Sequence, residues 1–154
     1  MKVFGILFAQ IPDLSGETVM VDGATIRDHM PIESANGNLL GKVDSVQIVY
    51  RALTESSIEL AMRAGLVKGM PAEGDSNALT GTNYLELENP FVRISGTLIN
   101  NSALREAIRV GNLFFSIEGK VLERKGDIIS RCKIAKTVIS LRSTQNCTKV
   151  FLDE

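Results

Sequence analysis

Residues Asn112–Leu141 read NLFFSIEGKVLERKGDIISRCKIAKTVISL. Two strand-like runs flank "RKGD", Arg124 to Asp127, whose Lys-Gly-Asp content marks a turn, so the stretch predicts a β-hairpin. Period-two alternation puts Phe115, Ile117, Gly119 and Val121 on one face and Phe114, Ser116, Glu118 and Lys120 on the other. Ser116 therefore faces the less apolar side of its strand. A hydroxyl left buried and unpaired would cost on the order of 1–3 kcal/mol, so Ser116 needs a hydrogen-bond partner, water or a chemical role. Immediately upstream, "NSALREAIRVGN" predicts a helix capped by Asn101 or Ser102, with Leu104, Ala107 and Ile108 inward and Gly111 as its stop.

Working outward, Lys2–Ala9 (KVFGILFA) sets Phe4, Ile6 and Phe8 against Val3, Gly5 and Leu7, the pattern of a central strand covered on both sides. "IPDLSGE" reads as a turn, Thr18–Val21 as a short strand, and Asp22-Gly23 as a hairpin signal leading into the strand-like "ATIRDHMPI". After a turn at Asn36–Asn38, "LLGKVDSVQIVYRA" is long enough to curve, as barrel strands do. A first helix starts at the N-cap Thr54, carries Ile58, Ala61 and Met62 on one stripe and stops at Gly65. Lys68–Asn83 has the composition of a long loop, "YLELENPFVRISGTLI" reads as two strands broken at Pro90, and "TKVFL" is a closing strand. The expectation is one domain over residues 1–154, mainly β with two helices (α+β), its sheet mostly antiparallel and closed into a barrel.

At 154 residues, with 17 basic and 18 acidic side chains, the chain can bury one core without staples. It has no basic run interleaved with aromatics, which argues against nucleic acid as a partner. Its apolar runs fall well short of the ~20 residues of a membrane span, and no signal-like segment opens it, so a soluble intracellular protein is expected. Cys132 and Cys147 lack the spacing of a zinc site and read as packing thiols. The single histidine, His29, cannot join other histidines around a metal, but it can be half of a nucleophile–base pair. Ser116 and His29 are thus the residues from which acyl-transfer chemistry could be built. Spacing alone equally allows a strand serine bonded to backbone and a surface histidine.

The run "LREAIRVGNLFFSIEGK", with the hairpin after it, resembles the tailed-phage prohead (head-maturation) proteases, relatives of herpesvirus assemblin. Their nucleophilic serine lies in a Gly-hydrophobic-Ser-x-x-Gly strand after a helix. "KVFGILFAQIPDLSGETV" is similar to the family's opening strand and turn, and "HMPIESANGNLLGKVDSV" to its His-x-Pro segment. The resemblance spans most of Lys2 to Leu141. It implies an assemblin-type β-barrel, Ser116 as nucleophile and His29 as general base of a serine endopeptidase. Implied substrates are scaffold and major capsid protein segments, and the protease itself, inside a prohead in the host cytoplasm. No cofactor or metal is implied, and a homo-oligomer is expected.

The family's third catalytic residue, an acid or histidine, falls where this chain reads "AKTVISLR", Ala135 to Arg142. Either Thr137 or Ser140 orients His29 there through a hydroxyl, or the Ser116–His29 pair works as a dyad, and Arg142 would stand near the oxyanion. Asp127 reads as a turn residue. Thr54–Asn89 is longer than the family's usual link, as a flap or an assembly contact would be. The alternative reading is a catalytically inactive structural or decoration protein of the phage particle with the same fold.

Overall fold

The structure is a computed structural model that describes residues 1–52, 54–67, 85–142 and 145–154. In chain order its elements are β1 (Lys2–Ala9), β2 (Thr18–Val19), β3 (Ala24–Ile26), β4 (Pro31–Ser34), β5 (Leu39–Ala52), α1 (Glu55–Arg63), β6 (Leu85–Leu98), α2 (Ser102–Val110), β7 (Phe114–Lys125), β8 (Ile128–Ser140) and β9 (Phe151–Leu152). The protein is mainly β with two helices among the described residues. Lys68–Asn83, read as a long loop, lies outside them.

The β7–β8 hairpin forms as expected, turning through Gly126 at φ 60, a left-handed conformation that glycine adopts without penalty. β8 organises the rest of the sheet. Thr137 pairs with Ile117 of β7 and with Ile32 of β4, so these two strands occupy opposite edges of β8. β2, β3 and β4 follow one another along that second edge, all parallel to β8. From β4 the sheet continues antiparallel through β5, β6 and β1 to β9. β2, β3 and β4 are two to four residues long, so each covers only part of β8, and the three segments line its edge one after another in its own chain direction.

The sheet is not closed, against the expectation of a barrel. β9 is only two residues long, and the C-terminal segment meets β7 at one isolated bridge, Phe114 to Lys149. The Asp22-Gly23 hairpin is also absent. Val21–Gly23 forms a single 3-10 turn that passes β2 into β3 along the same edge of β8, and a Cβ on Gly23 would collide with the Ser130 backbone. "ATIRDHMPI" is likewise two strands, because the chain turns at Arg27–Met30 with His29 at φ 49.

β6 runs unbroken through Pro90. Its ladder to β5 is interrupted there, between Phe91 opposite Val49 and Glu86 opposite Arg51, so the missing proline N–H costs no regular ladder bond.

Two apolar clusters lie on either side of β1 and β6. The larger gathers Val3, Leu7, Phe8, Ile32, Val92, Ile94, Phe115 and Val150. The smaller packs Ile6, Val49 and Phe91 against Leu60, Ala61 and Leu66 at α1 and its exit. β1 is thus covered on both sides, but a register shift between Ile6 and Phe8 moves Phe8 to the side of Val3 and Leu7. Both helices are capped as their sequences dictate. The Ser57 N–H donates to Thr54 Oγ1 at 3.1 Å, and the Leu104 N–H to Asn101 Oδ1 at 2.9 Å. Gly111, at φ 85, ends α2 and delivers the chain into β7. Of the expected inward residues on α2, Ile108 is buried, while Leu104 and Ala107 are partly so.

No helix among the described residues is long and apolar enough to cross a membrane.

Candidate functional site

Ser116 stands where alternation placed it. Phe115 is fully buried in the main core, Ile117 packs against that core, and Ser116 projects from the other face, half-buried. Its Oγ donates to the Val138 carbonyl across β8 in a long bond of 3.4 Å.

The neighbours on that outer face follow from register. Val138 lies opposite Ser116 on β8 and opposite Glu33 on β4, giving a row Ser116–Val138–Glu33. In the next row Glu118 faces Lys136. Ala135 is an extra residue in β8, since Glu118 pairs with Lys136 but Gly119 pairs with Ile134. This bulge swings Lys136 to the outer face, where its Nζ lies 3.3 Å from carboxylate oxygens of both Glu33 and Glu118. Hydrogen bonds from the ammonium to Glu118 and Glu33, with their charges, raise the Lys136 pKa above its ordinary value. A lysine held protonated in this way cannot accept a proton from Ser116 at neutral pH.

His29 is elsewhere. It sits in the turn between β3 and β4, its side chain 60 % exposed and its Nε2 3.7 Å from Asp28 Oδ2. With neighbouring strands ~4.8 Å apart, the backbones of Ser116 and Glu33 are roughly 10 Å apart, and His29 lies four residues beyond Glu33. The two residues also border different clefts. Ser116 lines one of about 240 Å³ with Phe8, Ile117 and Gln145, and His29 lines one of about 370 Å³ between β3 and β5. These clefts share no lining residue.

None of the expected auxiliary residues reaches His29 by a hydrogen bond among the described residues. Thr137 is fully buried and its Oγ1 donates to the Ser116 carbonyl at 2.8 Å. Ser140 Oγ donates to the Arg142 carbonyl at 2.6 Å, and Arg142 itself is exposed. Asp127 is a turn residue, its carbonyl accepting from the Thr18 N–H at 2.9 Å. Cys132 is buried and Cys147 half-buried, both unoxidised, and burial pushes the Cys147 thiol up to about 11. No group of three or more metal-ligating side chains occurs among the described residues.

Sequence reasoning missed the cluster of Lys136 with Glu33 and Glu118, which shares the outer face of the sheet with Ser116. The bulge at Ala135 and the pairing of β4 with β8 bring them there, and neither leaves a local signal. It also missed Gln145, a buried side chain that accepts from the Ala9 N–H at 2.8 Å and donates to the Ala9 and Ile11 carbonyls at 2.9 and 3.1 Å. This amide stands in for a strand partner at the end of β1.

Compared with known proteins, the chain matches no family model, no curated protein and no solved structure.

Proposed function

We propose that this chain is a non-catalytic relative of the prohead proteases, acting as a structural or decoration protein of a phage particle. The observation that carries the non-catalytic half is the separation of Ser116 from His29 by the intervening strand β8. A nucleophile and its base need hydrogen-bond reach, about 2.6–3.2 Å and somewhat longer before substrate binds. β8, paired along both edges, is not an element that can move aside. The particle half rests on the resemblance of "LREAIRVGNLFFSIEGK" and its flanking segments. On this reading the open sheet derives from the assemblin-type barrel, with its seam reduced to the Phe114–Lys149 bridge.

The rival reading keeps the endopeptidase, with Ser116 attacking a scaffold or capsid peptide and His29 taking its proton. It draws on Ser116 retaining a hydroxyl on a paired strand, engaged among the described residues by one long bond.

Co-expression with the scaffold and capsid proteins of the same phage separates the two readings. Wild type and Ser116→Ala should leave the same uncleaved bands, and both should co-sediment with the particles. Cleavage by wild type that Ser116→Ala abolishes would restore the endopeptidase. Absence of both variants from particles would remove the structural role.

A further inference from the structure

β7 has a free edge over most of its length. β8 takes one side of the strand, and the C-terminal segment reaches the other only at its start, through the Phe114–Lys149 bridge and a bond from the Phe115 N–H to the Thr148 carbonyl. Beyond Ile117 no strand pairs with that side among the described residues. Glu118 to Lys125 are all exposed, Val121 at 45 % and Leu122 at 40 % among them. Such an edge offers its main-chain groups to another strand, and proteins commonly guard it with lysines that repel a second copy. Here the charges alternate in sign, which reverses that effect in one register.

Leu122 is an extra residue in β7, since Val121 pairs with Cys132 but Glu123 pairs with Arg131. Plain alternation would set Lys120 and Glu123 on opposite faces. The bulge returns both to the outer face, together with Glu118 and Lys125. Glu118, Lys120, Glu123 and Lys125 are then complementary to the same row reversed. In an antiparallel pair of two β7 strands about a two-fold axis at Val121 and Leu122, Lys120 meets Glu123 of the second copy and Glu118 meets its Lys125. The exposed Val121 and Leu122 meet each other at the centre. Arg124, held by Glu17 at 2.6 Å, falls opposite Gly119 and keeps its partner. A slip by two positions sets Lys120 against Lys120 and Glu118 against Glu123, or Glu123 against Glu123 and Lys120 against Lys125. A slip by one opposes outer residues to inner ones, so a single register remains.

The side chains in question are available. Lys120 faces Lys133 across the hairpin, two like charges opposite each other, and neither forms a salt bridge among the described residues. A carboxylate from a second copy offsets that repulsion. Glu118 turns Oε2 to Lys136 at 3.3 Å and Glu123 turns Oε1 to the Ser130 hydroxyl at 2.9 Å, so each keeps its other oxygen for a further donor.

We infer that two copies of the chain pair through the free edges of β7, antiparallel about a two-fold axis at Val121 and Leu122, so that two hairpins join into one continuous sheet. This pairing is independent of the phage reading and of any reaction at Ser116.

Sedimentation of the full chain over a concentration series should show a monomer–dimer equilibrium, and amide exchange within residues 117–125 should slow as the dimer forms. Lys120→Glu and Glu123→Lys, both at exposed positions, should each weaken the dimer by about tenfold or more while circular dichroism shows the fold intact. An equal mixture of the two variants should recover wild-type association, because every charge pair across the axis is again of opposite sign. A chain that stays monomeric at every concentration would overturn the inference. So would a dimer that keeps full strength in either single variant, or a mixture that fails to recover, since association would then use another surface.

Discussion

Thr137 and Ser116 are neighbours across the hairpin, yet they differ in what their hydroxyls do. Thr137 is fully buried and its 2.8 Å bond satisfies a main-chain carbonyl, whereas Ser116 is half-buried with a bond of 3.4 Å. Thr137→Val should therefore lower unfolding free energy by about 1–2 kcal/mol, and Ser116→Ala by less than about 0.5 kcal/mol, measured as shifts in urea midpoint at constant m-value. The reverse order would mean that Ser116 is held more tightly than its geometry indicates. The cysteines give a chemical readout at the same scale. With the Cys147 thiol near 11, the reactive thiolate is scarce at neutral pH. Alkylation of the folded protein by iodoacetamide at pH 7.5 should be much slower than in urea, and should accelerate as pH rises toward 11.

Asp44 carries a pH prediction at the same scale. A hydrogen bond from the Thr97 hydroxyl, opposed by desolvation and joined by the Lys2 ammonium, holds its carboxyl below the usual 3.8. Its folded value is thus lower than its unfolded one, so it contributes stability above pH 3.8 that is lost as pH falls through the folded value. Asp44→Asn should flatten the acid limb of the stability profile as pH falls below 3.8, read by thermal melts at stepped pH.

Among the elements, α2 and β1 show two ways of satisfying main-chain groups. α2 relies on its own sequence, and Asn101→Ala, which removes the 2.9 Å bond to the Leu104 N–H, should cost about 1 kcal/mol. The end of β1 relies instead on Gln145, more than a hundred residues away. Gln145→Leu would leave the Ala9 N–H and the Ala9 and Ile11 carbonyls without that partner, and should destabilise by about 2–4 kcal/mol in denaturant titration. The contrast explains what was legible. Asn101 and Thr54 were readable as caps because a cap is a contact over three residues. Gln145, the Ala135 bulge and the parallel pairing of β2, β3 and β4 with β8 are contacts between distant segments and leave no local pattern.

At the scale of the whole molecule, the sheet separates the two candidate residues, Ser116 and His29, rather than gathering them. β8 has Ser116 on one flank and the turn of His29 beyond the other. The larger cleft lies beside His29, with the aliphatic side chains of β5. The sequence by itself determined the hairpin, both capped helices, the two-sided burial of β1 and the outward face of Ser116. Each depends on period, capping or turn chemistry acting over a few residues. Only the tertiary structure decided that the sheet stays open, that Lys136 rather than a histidine shares the outer face with Ser116, and that His29 borders a different cleft. Those outcomes depend on strand register and on one inserted residue, set by the packing of distant segments.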